Sequence, residues 1–420
     1  MKLFVVPVPI FNTDMRVHYY KLMSKNAENL ITGEQSHLRL DGAVNPRLLD
    51  AIAGLGLDTF TMGAPLIIPV NGITLLADFE KNLGATPEHP VPVDPDKIII
   101  ALNESVTPEP MYMDRIHELL SKGFHFAFEL PKETKPYLPI IELCKYIIVK
   151  QVMANHEASR LIRNHPAKRF IASSVDTHQL FDIARGSGYN RFEGLFYRVP
   201  LTLDKDTTNV GPGKLATLQL IKAVETNDFE IDEIASIVEK DVALTVSMLK
   251  QINSQAMGSK IKTIQHAAAM LGQDQIKRWV STAAVSQLGA DKSSEINRVS
   301  QIRAKFCENL APLFGHDDQI GRESLFLMGL FSLIDVMLDM SIDAALDVVG
   351  VSDWIRAALV DKSGAFYGVY EFIQYYERAD WTSVSRICIL NNIETEAVYE
   401  AYINALEWYK QLTDGMASEE

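Results

Sequence analysis

LFVVPVPIF (3–11) and, five residues later, VHYYKLMSK (17–25) open the chain. The first run is apolar apart from its prolines and reads as a buried strand. In the second, Val17, Tyr19 and Leu22 can continue the same sheet, which leaves two cations, Lys21 and Lys25, at the end of a buried element. Either they begin a solvated helix, or they stand at the rim of a sheet or barrel.

Working outward, further apolar runs recur at PLIIPV (65–70), KIIIAL (97–102), FHFAFEL (124–130), YIIVKQV (146–152) and RFIASSV (169–175). Amphipathic segments separate several of them, such as MDRIHELLSKG (113–123), where Ile116, Leu119 and Leu120 mark one face. Strand, helix and strand at this spacing predict parallel strands with right-handed crossovers. Six or more units in about 200 residues fit a (βα) barrel or a doubly wound sheet. Residues 201–213, LTLDKDTTNVGPG, read as a linker; GPGK (211–214) lacks the spacing and the Ser or Thr of a phosphate loop. Beyond 214 the texture is helical. Ile234, Ile237 and Val238 mark one face, Leu244, Met248, Leu249 and Ile252 another.

Composition excludes several classes. The chain has 420 residues, 47% of them hydrophobic and 22% charged, with a formal charge of −14. Those shares are globular, and the negative sign without a basic tract opposes nucleic acid as a partner. No run reaches the length needed to span a bilayer, and the N-terminus resembles a strand more than a signal peptide, so no membrane partner and a cytoplasmic location are expected. Cys144, Cys307 and Cys388 are odd in number and far apart, which predicts buried thiols.

Single motifs carry little chemistry. His316-Asp317-Asp318 lacks the further ligands of a metal hydrolase and predicts a helix start capped by Asp317 or Asp318. His156 and His165 read as surface histidines. The aromatics of GAFYGVYEFIQYYERADW (364–381) fall at helical spacing and predict a packed face.

Two stretches together resemble a known family. QINSQAMGSKIKTIQHAAAMLG (251–272), preceded by IDEIASIVEKDVALTVSMLK, resembles the HDOD domain of bacterial signalling proteins. GLFSLID (329–335) is similar to the segment that carries His-Asp in HD-type phosphohydrolases, and YYERADW (375–381) to the family's acidic-tryptophan turn. The first half then resembles the EAL domain, a modified TIM barrel whose active members hydrolyse cyclic di-GMP with two divalent metals. The resemblance places Lys21-Leu22-Met23-Ser24-Lys25 on the Glu-Ala-Leu-x-Arg motif, so a lysine stands where the metal-binding glutamate belongs. It places Pro69 on the asparagine, Ala101 on the next glutamate with Glu104 still acidic, and Glu129 and Leu130 on the paired aspartates. Ile148 and Lys150 fall on the Lys-x-Asp strand, Ser173 on a glutamate, and Glu193 on a glutamine ahead of the retained Gly194 and Pro200. Ser332 and Leu333 stand where HD enzymes have their dyad.

The implied fold is α/β plus all-α: a degenerate EAL barrel over 1–200, a linker over 201–213, an all-helical HDOD domain over 214–412 and a tail over 413–420. The implied protein is not an enzyme and holds no cofactor. It acts on other signalling proteins, with a homodimer open to it; the alternatives are a sensor that binds cyclic di-GMP without cleaving it and an active phosphodiesterase. A remnant mouth is expected at Lys21, Lys25, Glu104, Glu129, Lys150 and Glu193, with the lysines neutralising Glu104, Glu129 or Glu193.

Overall fold

The computed structural model describes residues 3–26, 52–83, 93–150, 156–201, 212–225, 229–238, 245, 248–249, 261 and 263–417. Most of the linker and the QINSQAMGSK motif lie outside the described residues. The chain divides into two compact units, Met1–Val199 with Tyr375–Tyr399, and Pro200–Gln374 with Glu400–Glu420.

Eight strands close the barrel of the first unit in chain order. They are β1 (Leu3–Phe11), β2 (Val17–Asn26), β3 (Leu66–Val70), β4 (Ile98–Leu102), β5 (His125–Glu129), β6 (Tyr146–Val149), β7 (Arg169–Ala172) and β8 (Arg191–Glu193). From β2 to β8 neighbours are parallel, as the spacing predicts, with helices such as α1 (Pro110–Ser121) and α2 (His178–Gly186) in the crossovers. The exception is β1, antiparallel to both β2 and β8. The reason is local: only residues 12–16 join β1 to β2, too few for a crossover. Asn12 closes that hairpin by accepting from the backbone N–H groups of Asp14 and Arg16, each at 2.9 Å.

Of the two readings of Lys21 and Lys25, the solvated helix start is overturned, since both lie within β2. Alternation then fixes the faces. Ile10, Ile67, Ile99, Ala101, Ala127, Tyr146, Ile148 and Ile171 form one buried cluster with Tyr19 against it, and this is the barrel interior.

β1 pairs with β8 only through Ile10 and Phe11, so its first seven residues have β2 on one side and an open edge on the other. Pro7 and Pro9 sit on that edge, where a missing N–H costs no ladder bond. Val5 shares their register, and its edge is closed by a side chain from far along the chain. The Tyr376 hydroxyl donates to the Val5 carbonyl at 3.0 Å and accepts from the Val5 N–H at 3.3 Å. Phe4 stacks on Trp381, ring centroids 5.5 Å apart and planes within 13°, while Tyr376 meets both rings edge-on. Glu377 forms an ion pair with Arg198, just beyond β8. The aromatic run is core, as its spacing predicts, but part of the core it joins is the barrel's.

The second unit is helical among its described residues. It contains α3 (Pro212–Glu225), α4 (Ile231–Val238), α5 (Ile264–Leu288), α6 (Ser294–Leu310), α7 (Gln319–Phe331) and α8 (Ile334–Leu338). Ile234, Val238 and Met248 share one apolar cluster, with Ile237 and Leu249 packed against it, while Leu244 and Ile252 of the second predicted face lie outside the described residues. Asp318 caps α7, accepting from the Gly321 N–H at 2.9 Å, and Cys144, Cys307 and Cys388 are buried.

Candidate functional site

Two-residue alternation carries the inward faces of the strands up to their C-terminal rim, where active sites of such barrels assemble. Two residues beyond Tyr19, Ile67, Ala127, Ile148 and Ile171 stand Lys21, Pro69, Glu129, Lys150 and Ser173; Glu193 lies opposite Ile10 on the adjoining strand.

At the rim the charges meet one another. The Lys21 ammonium lies 3.3 Å from both carboxylate oxygens of Glu193, and the Ser173 hydroxyl donates to Glu193 Oε1 at 3.1 Å. Both ionised side chains are about nine-tenths buried, at 9% and 13% exposure, so each depends on the other for charge compensation. Lys150 pairs with Glu129 nearer solvent. Of the three carboxylates offered as partners to Lys21, the structure selects Glu193. Glu104 is exposed in the loop after β4, where its backbone carbonyl accepts from the Tyr137 hydroxyl. Lys25 stands four residues beyond Lys21, opposite Phe4.

Gly194, immediately after Glu193, explains the retained glycine. Its φ is +156° and a Cβ there would lie 2.0 Å from the Val175 carbonyl oxygen, so no side chain fits where β8 leaves the barrel. Two divalent ions need a shell of oxygen ligands, whereas the inner rim presents two ammonium groups, a proline, the methyl of Ala101 and a serine that serves Glu193, and its two carboxylates, Glu129 and Glu193, are each paired with a lysine. That donor set does not fit a two-metal centre. Among the described residues no group of three or more His, Cys, Asp or Glu side chains is placed to hold a metal ion, and no helix is long and apolar enough to cross a membrane.

In the helical unit, the dyad position is the C-terminus of α7. The Ser332 hydroxyl donates to the Gly329 carbonyl at 2.7 Å and accepts from Arg303 Nη1 at 2.9 Å; Leu333 is buried. Sequence reading missed Arg303, a buried guanidinium from α6, because an arginine in an amphipathic helix ordinarily reads as part of the solvated face. Gly329 allows the approach, because a Cβ there would lie 2.5 Å from the Arg303 carbonyl oxygen.

Close by, burial pushes the Asp335 carboxyl up to about 6 despite Arg303, and its Oδ1 has no hydrogen-bond partner. The unfolded chain therefore ionises this group first as pH rises. Both forms are protonated well below pH 4; stability is lost as pH rises from about 4 to about 6 and the loss levels off above that. Asp335→Asn is expected to stabilise the unit at pH 8 by up to about 3 kcal/mol and to have little effect at pH 4. Chemical denaturation at both pH values checks this; an equal effect at both would contradict it.

Residues 215–344 match the HDOD domain family. Over 99% of this chain and all of its own length, the uncharacterized protein YuxH of Bacillus subtilis is 24% identical. The cyclic di-GMP phosphodiesterase CdgJ of Vibrio cholerae is 26% identical over 77% of this chain and 76% of its own. Among solved structures, BlrP1 of Klebsiella pneumoniae, in a manganese and cyclic di-GMP complex, aligns at a TM-score of 0.38 and 14% identity, over 47% of this chain and 55% of its own. This chain therefore carries an HDOD domain over residues 215–344, behind an eight-stranded closed barrel.

Proposed function

We propose that this chain is a non-catalytic signalling adaptor, in which an EAL-type barrel that has lost its metal chemistry accompanies an HDOD domain and the two act by binding other proteins. The observation that carries the reading is the Lys21–Glu193 pair, closed by Ser173, at the inner rim. An ammonium replaces part of the charge of a metal ion but does not lower the pKa of an attacking water. The Ser332–Arg303 contact supports the same reading for the helical unit, since a serine and a guanidinium offer no ligand pair to a divalent ion.

A second reading, a sensor that binds cyclic di-GMP without cleaving it, is favoured by the likeness to CdgJ. Against it, each rim lysine with a described partner is already neutralised by a carboxylate. Calorimetric titration of the full chain with cyclic di-GMP, with and without Mg²⁺ or Mn²⁺, tests both when the samples are also assayed for the linear dinucleotide. Neither binding nor product is expected. Saturable binding without product would replace the adaptor reading with the sensor, and product would overturn both.

A further inference from the structure

In the helical unit, α5, α6 and α7 line a cavity of about 290 Å³. We infer that it binds an organic cation, an ammonium or guanidinium group, between Asp274 of α5 and Glu323 of α7.

The charges lining the cavity do not balance. Two guanidiniums face four carboxylates, and both guanidiniums are engaged. Arg278 forks onto Glu308, its Nη1 donating at 2.7 Å, and lies 3.8 Å above the Phe326 ring, while Lys305 reaches the same carboxylate at 2.8 Å from outside the lining. Arg322 pairs with Asp317, its Nε donating at 3.0 Å. Of the other two carboxylates, Asp274 has no cation paired with it among the described residues, and Glu323 meets only the more distant Lys277, from outside the lining. Asp274 accepts from the neutral amide of Gln319, which brings no charge.

Behind them the imbalance continues into the protein. Lys277 serves two carboxylates from different helices, Glu225 of α3 at 3.3 Å and Glu323 at 3.8 Å. The Glu225 side chain is 5% exposed and its Oε1 is buried without a partner, so the charge of this lysine is already claimed on the inner side. Burial and the nearby Asp274 charge raise the Glu323 carboxyl, and Lys277 and Arg278 do not cancel that push. A cation entering the cavity meets two carboxylates at once and leaves Lys277 to Glu225. Among the described residues no third carboxylate, histidine or cysteine is grouped with this pair to hold a metal ion, so the donor set is too sparse for a divalent ion. A cation that brings its own N–H donors needs only the pair.

The test uses the full chain at low salt, with agmatine as a free cation and a blocked Gly-Arg-Gly peptide as the protein-borne form of the same group, each titrated by calorimetry. Saturable one-to-one binding is expected, weakened about tenfold or more by Asp274→Asn and by Glu323→Gln, the loss of one charge-assisted contact. Added salt should weaken it further, while Glu133→Gln on the barrel leaves it unchanged. Tighter binding of the peptide points to a basic protein segment as the source, tighter binding of agmatine to a small molecule. Thermal melting reports whether each variant is folded; should Glu323→Gln fail to fold, Asp274→Asn, at an exposed position, decides alone. No saturation at millimolar probe, or affinity unchanged in the folded variants, overturns the inference.

Discussion

Lys21→Ala is expected to destabilise the barrel by about 3 kcal/mol, because it leaves the Glu193 carboxylate buried without its counter-ion. The figure sits at the low end for a broken buried pair, since both side chains keep about a tenth of their surface in water. Removing both charges should cost far less than removing one. Lys21→Ala with Glu193→Ala is therefore expected to recover most of the loss, and the double-mutant cycle should return a coupling of about 2 kcal/mol. Additive losses in urea melts would mean that the two groups do not compensate each other. Lys21→Glu is a sharper case, since it sets two carboxylates side by side where the structure has an ion pair. The expected result is a less stable protein without activity, because Pro69, Ala101 and Lys150 still withhold ligands.

The second large effect concerns the segment that closes the β1 edge. Trp381→Ala removes a stacked partner of the fully buried Phe4, and about 3 to 5 kcal/mol is expected for a change of that size in a core. Tyr376→Phe keeps the ring but strips the hydroxyl, leaving the Val5 N–H and carbonyl unsatisfied at a cost of about 1 to 3 kcal/mol. A fragment ending at residue 200 lacks both residues and the Glu377 partner of Arg198. It is expected to expose apolar surface and to lose cooperative melting, and fusing residues 375–399 back through a flexible linker should restore it. A fragment that melts cooperatively without them would show that the barrel is complete on its own.

Much of this was legible from local pattern. Six of the eight strands were announced by apolar runs bounded by turn residues, and the helical half by its 3.6-residue period. Of the other two, β2 was legible only as a sheet continuation beside the helix alternative, and β8 (Arg191–Glu193) was missed because three residues are too short to show alternation. The direction of β1 was present in the five-residue connection but was overridden by the strand–helix rhythm of the rest. Lys21, Ser173 and Glu193, which the resemblance places on three separate motifs, meet in the structure.

By itself the sequence determined which residue types occupy the rim and the dyad position, since those follow from register along single strands and helices. Tertiary structure alone decided that Lys21 meets Glu193 rather than Glu104, that Tyr376 closes a strand 371 residues away, and that Arg303 reaches Ser332. Each of these is a contact between elements distant in the chain. Periodicity fixes the face on which a side chain stands, but its partner is set by which elements pack against that face and by the need of buried polar groups to find one another.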